Sequence, residues 1–275
     1  MTSTLLDATS LERRRPRNGL VKALQDGWTI GKRNLKHFTR LPRLLVFSTI
    51  QPVMFVLLFG YVFDGAVRGS LPEGFDTYLA FVLPGIFVQS TIFRMTQTAV
   101  GLAEDLERGV VDRFRSLPMS RSGVLIGRTI ADLVRSLAVI VLMAVFGMLV
   151  GFRFTSPIGA LGALLVVAVF GYALSWVFGW VALMVPGGES AQAAAFVTAF
   201  PLSFISSVFV PPDSVTVEWL AFIARNSPVS ATADAARGMA VSGPVLQPLL
   251  LALGWSIALL CVFVPLSVAR FRRLE

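Results

Sequence analysis

Six times along this chain an apolar run reaches the length that a helix needs to cross a bilayer. The runs cover about 44–63, 78–102, 129–150, 158–185, 191–210 and 246–268. A hydrocarbon core of ~30 Å takes ~20 residues at a rise of ~1.5 Å each. No water is available there for an open N–H or C=O, so every run must be helical. The 275 residues are 55% hydrophobic, and mean hydropathy is +0.74. Soluble globular domains do not reach such values. The sequence therefore predicts an all-α polytopic membrane protein with six transmembrane helices. Pro52, Pro84 and Pro201 fall inside runs; prolines are tolerated in membrane helices and kink them.

Charge gives the orientation. Lys and Arg collect in cytoplasmic loops. The arm before the first run holds ten of them, from Arg13 to Arg43. The loop between the second and third runs adds Arg108, Arg113, Arg115, Arg121 and Arg128, and the tail adds Arg270, Arg272 and Arg273. The opposite side has only Arg68, Arg153, Arg225 and Arg237. Both termini and the 2–3 loop are thus expected in the cytoplasm, and "PGGESAQ" between runs 4 and 5 is placed there by parity. The +8 net charge follows from this bias, so no nucleic-acid partner is expected. Residues 1–19 are expected to be a disordered tail. In 20–43, Leu20, Leu24, Trp28, Leu35 and Phe38 recur at helical spacing among Lys22, Lys32, Arg33 and Lys36, which predicts an amphipathic interfacial helix. The first run is too long for a cleaved signal peptide and lacks a cleavage site. Cys261 is the only cysteine, so no intrachain disulfide can form; it is expected to be a small core residue.

One segment breaks the apolar pattern. In "EDLERGVVDRFRSLPMSR", residues 104–121, Leu106, Val110, Phe114 and Leu117 make one apolar stripe. Glu104, Arg108, Asp112 and Arg115 alternate in sign along another face. The pattern predicts a helix over 104–117, ended by Pro118. Two spans hold this short helix at the cytoplasmic face. Its stripe either rests on lipid headgroups or docks into a cytoplasmic partner.

The run "DLERGVVDRFRSLPMSRSGVLIGRTIADLV" resembles the signature of permeases in the ABC type-2 exporter family. The matching positions are Glu107, Gly109, Val110, Val111, Leu117, Pro118, Ser120, Arg121, Gly127, Arg128 and Asp132. A second patch, "FPLSFISSVFVPPDSVTVEWLAFIARNSPVSATADAARGM", resembles that family through Trp219, Leu220, Asn226, Pro228, Ala236 and Arg237. "LPGIF" at 83–87 is similar to the family too. The resemblance spans about 20–270 and is strongest to the daunorubicin-resistance branch. It implies a six-helix transmembrane domain over 44–270, with the charged helix as the coupling helix and a short external helix after span 5. It also implies a cytoplasmic ABC ATPase as partner and a second permease, identical or related, in an inner cell membrane. Coupling to the ATPase would fall to Glu107, Gly109, Arg113, Phe114, Pro118 and Arg121. The cargo would be a hydrophobic or amphipathic drug, antibiotic or complex lipid. A lipid-linked polysaccharide is the alternative within export, and an ion-coupled secondary transporter or channel the alternative outside it.

The chain itself is not expected to be an enzyme. "GWTIGKR" at Gly27 has three residues between its glycines and Arg where a P-loop needs Ser or Thr. His37 is the only histidine, which leaves little for metal or covalent catalysis. No cofactor is expected on this chain; ATP and Mg would belong to the partner ATPase. Acidic residues at mid-span, needed for ion coupling, are absent. Arg94, near the middle of span 2, is costly there. It serves either a helix–helix hydrogen bond or a transport path, with Gln51, Gln89 and Gln97 as candidate neighbours. Asp132 and Arg135 are expected to pair at i, i+3. Trp219 and Trp255 are expected in the external aromatic belt, and "VEWLAFIA" at 217–224 on the outer interface. An apolar path would be lined by parts of spans 1, 2 and 5.

Overall fold

The computed structural model describes residues 50–51, 53–67, 69, 71–72, 74–109, 121–241 and 243–273, and every regular element among them is helical. The tail 1–19, the interfacial helix 20–43 and the first part of span 1 lie outside them. Described first is α1, Val53–Val62, whose last turn Leu58–Val62 is π-wound. A short α2, Asp64–Val67, leads to α3, Tyr78–Glu107. Then come α4 (Arg121–Leu149), α5 (Pro157–Met184), α6 (Gly188–Phe204), α7 (Glu218–Asn226), α8 (Pro228–Ala240) and α9 (Leu246–Arg273).

Among the described residues α3, α4, α5 and α9 are long and apolar enough to span a membrane. Of the most apolar stretch of α3, 83% is buried, against 11% in α9; α3 is the central post and α9 a peripheral one. The start of α3 is fixed locally. Thr77 accepts a hydrogen bond from the Ala80 N–H at 3.3 Å, and the Asp64 carboxylate accepts from the Tyr78 N–H at 3.0 Å. Both satisfy donors that the first turn leaves open. The Ser156 cap and Pro157 start α5 in the same way.

The structure corrects four readings. Glu104–Glu107 form the last turn of α3 and do not start a separate helix. Span 5 is helical only to Phe204, and residues 205–211 continue as irregular backbone. Cys261 is exposed on α9, because α9 has little of its surface covered. The segment after Asn226 is a helix of its own, α8, packed against α3, α5 and α9. Ala231, Ala233, Ala235, Ala236 and Ala240 are all buried there; small side chains all round let the helix sit close to three others. Arg237 is therefore an interior residue, not one of a polar outer loop.

The glycine in "LPGIF" has a steric reason. A Cβ on Gly85 would meet the Val208 carbonyl oxygen at 2.8 Å and an Arg237 nitrogen at 3.1 Å. Backbone therefore lies directly on backbone where the irregular segment crosses α3. Gly85→Ala is expected to cost about 1–3 kcal/mol by overpacking and to lower the melting temperature in detergent. Gly179→Ala in α5, where a Cβ meets nothing within 4 Å, should leave it unchanged or slightly higher.

Candidate functional site

The end of the bundle where α3 begins is organised by one side chain. Arg237 is 3% exposed. Its Nε donates to the Phe81 carbonyl at 2.7 Å. One terminal nitrogen donates to Asp234 at 2.6 Å and to the Ser207 hydroxyl at 3.1 Å. The other donates to the carbonyls of Ser207 and, at 2.9 Å, Val208. Five contacts match the five N–H bonds of a guanidinium. The Phe81 ring lies 3.8 Å below the cation. Next along the chain, the Tyr78 hydroxyl donates to the Phe209 carbonyl at 2.8 Å. The Ser207 N–H is taken by the Ser230 hydroxyl at 2.8 Å. Side chains from α3 and α8 thus satisfy three consecutive carbonyls of the irregular segment. Polar backbone away from water needs such partners.

That segment ends α6, a helix with two unlike faces. Ala191, Ala195, Ala199 and Ser203 recur at i+4 and are buried, where α6 packs against α3. On another face Phe196, Phe200 and Phe204 also recur at i+4 and are 51%, 46% and 41% exposed. These rings belong to a continuous ladder. Phe93 of α3 lies 6.1 Å from Phe196, Phe196 lies 5.7 Å from Phe200, and Phe200 lies 4.5 Å from Phe204. The ladder continues through Phe209 at 5.3 Å to Phe59 of α1 at 4.4 Å, which contacts Phe55 and Phe63. Offset rings at these separations attract one another. Spans 1, 2 and 5, expected to line a path, are the three that this ladder joins.

A polar cluster lies between α3 and α4. Thr98 donates to the Asp132 carboxylate at 2.8 Å, and Arg135 pairs with Asp132 at 3.7 Å, the i, i+3 pair expected. Thr91 and Ser136 hydroxyls are 3.4 Å apart. Arg94 stands one turn from Thr98, within electrostatic range of Asp132 and Arg135. It is half-buried, whereas Gln89 is buried and Gln51 and Gln97 are exposed. Arg94 and Gln89 both lie on α3, and Gln51 is helical two residues before α1. The Gln89 side-chain nitrogen has no hydrogen-bond partner among the described residues.

At the other end of α3, Glu107 closes the helix and Gly109 follows in a left-handed turn at φ +62°. The Glu104–Arg108 pair, at 3.1 Å, sits on the same last turn. Arg121 opens α4. Arg113, Phe114 and Pro118 lie outside the described residues. The sequence reading missed Arg237 as an anchor. Its signal was present: an arginine three residues after Asp234, inside a helix of alanines with no polar face broad enough for water.

Comparison with known proteins matches residues 25–241 to the ABC-2 type transporter family model. A daunorubicin resistance ABC transporter permease, DrrB1 of Streptomyces coeruleorubidus, is 32% identical over 241 residues, covering 87% of this chain and 83% of its own. A permease named for doxorubicin resistance, DrrC of Mycobacterium tuberculosis, is 28% identical over 235 residues, covering 82% and 80%. The resemblance carried by the charged segment and the second patch is thereby borne out.

Arg237→Lys keeps the charge but offers three donors from one atom. It leaves buried carbonyls unpaired, which should cost about 1–3 kcal/mol for each, read as a lowered thermal transition in detergent.

Proposed function

This chain belongs to the ABC-2 type transporter family, and on that premise we propose that it is the permease subunit of an ATP-driven exporter. The family and the apolar helices make it a multi-pass membrane protein. In the proposed arrangement α1, α3, α4, α5, α6 and α9 are the six spans, α6 being completed by the irregular segment 205–211. Both termini face the cytoplasm of an inner cell membrane, with residues 20–43 on the interface. A second permease, as homodimer or heterodimer, completes the transport unit. A separate cytoplasmic ABC ATPase binds ATP and Mg and supplies hydrolysis.

The observation that carries this reading is the Phe ladder on α6, α3 and α1. One face of α6 is fixed to α3 by small residues, while 196, 200 and 204 present rings that this chain leaves uncovered. That uncovered aromatic face is available to a second permease or to a ligand. Facing a second permease, the ladder makes an apolar aromatic path suited to a planar or amphipathic drug, antibiotic or complex lipid. Relatives named for daunorubicin and doxorubicin resistance support that cargo class. The ladder also suits a lipid-linked polysaccharide, whose sugar faces stack on rings, and that is the second reading. Arg94 beside Phe93, with Gln51 and Gln89, is proposed as the polar part of the path.

Coupling is proposed to run through the charged segment, with Gly109, Arg113, Phe114, Pro118 and Arg121 gripping the ATPase and Glu107 at its root. Its test is site-directed crosslinking. With Cys261→Ala as background, Phe114→Cys is expected to crosslink to the co-expressed ATPase and to change on adding ATP. A folded protein whose Phe114→Cys crosslinks to nothing, while a cysteine in another cytoplasmic loop does, would remove the coupling role.

A further inference from the structure

The root of the charged segment is tied to α6 by a contact that the export reading does not assign. A Glu107 carboxylate oxygen accepts from the Gly188 N–H at 3.4 Å, across 81 residues of sequence. The two chains meet with almost no room. A Cβ on Gly187 would lie 2.9 Å from the other Glu107 oxygen, and one on Gly188 would lie 2.8 Å from Glu104 Cγ. Gly187 stands at φ +85° and gives α6 no side-chain cap. The open N–H groups of that first turn favour a carboxylate, and Glu107 supplies it from another helix. Farther along, α6 meets α3 through Ala191, Ala195 and Ala199, methyl groups that resist sliding weakly. The opposite end of α6 runs into the segment that Arg237 holds. The aromatic helix thus has one polar tie at each end, and the cytoplasmic tie is two residues from the glycine where the charged segment leaves α3.

We propose that Glu107 is a positioning residue, an internal strut that passes displacement of the charged segment to α6 and so to the Phe ladder. It does this by holding the first turn of α6 to the end of α3. The proposal rests on the export reading and moves Glu107 from the ATPase contact to the interior of the permease. Its prediction differs from that of an ATPase-facing carboxylate: losing the strut should spare ATPase binding and silence α6.

The experiment uses the permease with its ATPase in native membranes, with Cys261→Ala and Gln192→Cys. Gln192 is exposed just inside α6. Maleimide labelling rates are compared without nucleotide and after trapping with ATP and vanadate. With Glu107 intact, the two rates should differ by about fivefold or more, the lower end of ordinary conformational coupling. Glu107→Ala should bring the ratio near one while the ATPase still co-purifies. Glu107→Gln, which keeps an oxygen acceptor at the same reach, should retain most of the difference. If Glu107→Ala does not fold, Glu107→Asp replaces it: one methylene shorter and still charged, it should behave as a broken strut. A ratio unchanged in the Ala or Asp variant overturns the strut alone. So does loss of ATPase capture in a folded variant, which would put Glu107 at the ATPase contact. A parent protein that captures no ATPase, or shows no response to ATP, overturns the export reading and the strut with it.

Discussion

One buried guanidinium holds together the end of the molecule where α3 begins and α6 stops. The helix α6 stops at Phe204, and the open carbonyls that follow have no helical partner. An apolar surrounding makes each such group costly, on the order of several kcal/mol. Arg237 and Tyr78 close three of them. The same arginine takes the Phe81 carbonyl on α3, one turn before the Pro84–Gly85 pair. Its position in turn requires α8, and α8 fits only because its alanines pack against α3, α5 and α9. The packing of four helices therefore converges on one hydrogen-bond set, and the bare backbone at Gly85 is the space that set needs.

The division of labour on α6 follows from this. A helix fixed at its outer end by Arg237 and lying on α3 by small residues can devote another face to rings. Eight phenylalanines, from Phe55 to Phe209, form one connected series across α1, α3 and α6. Their chemistry is apolar and polarisable without directional demand, which is what the proposed path for an apolar or amphipathic cargo requires. Arg94 adds a cation next to the first ring of the series. The family match and the drug-resistance relatives agree with that chemistry.

Much of this was legible in the sequence, and the exceptions share one cause. Hydropathy located α3, α4, α5 and α9 because an apolar run twenty residues long has one outcome in lipid. Asp132–Arg135 was legible because i, i+3 spacing on a helix brings the two together. The end of span 5 was not, because "SFISSVF" is as apolar and helix-compatible as what precedes it; what stops the helix is an arginine thirty residues on. The helix α8 was hidden for the complementary reason. "SATADAARGMA" is too polar to read as buried, yet every charge in it has an interior partner. The contact between Glu107 and Gly188 was not legible either, because the two lie 81 residues apart. Local pattern finds elements; it does not find clasps between distant ones.

The clasp at Arg237 also has a consequence for how the protein is made. Phe81 and Arg237 are 156 residues apart. At a synthesis rate of roughly 5–20 residues per second, the Phe81 carbonyl waits on the order of 8–30 s for its donor. The carbonyls that follow α6 wait less: Ser207 precedes Arg237 by 30 residues, on the order of 2–6 s at the same rate. The nascent chain therefore passes through a stage in which α3 and α6 are made and the carbonyls of Ser207 and Val208 still lack their donor. The arrival of α8 ends that stage.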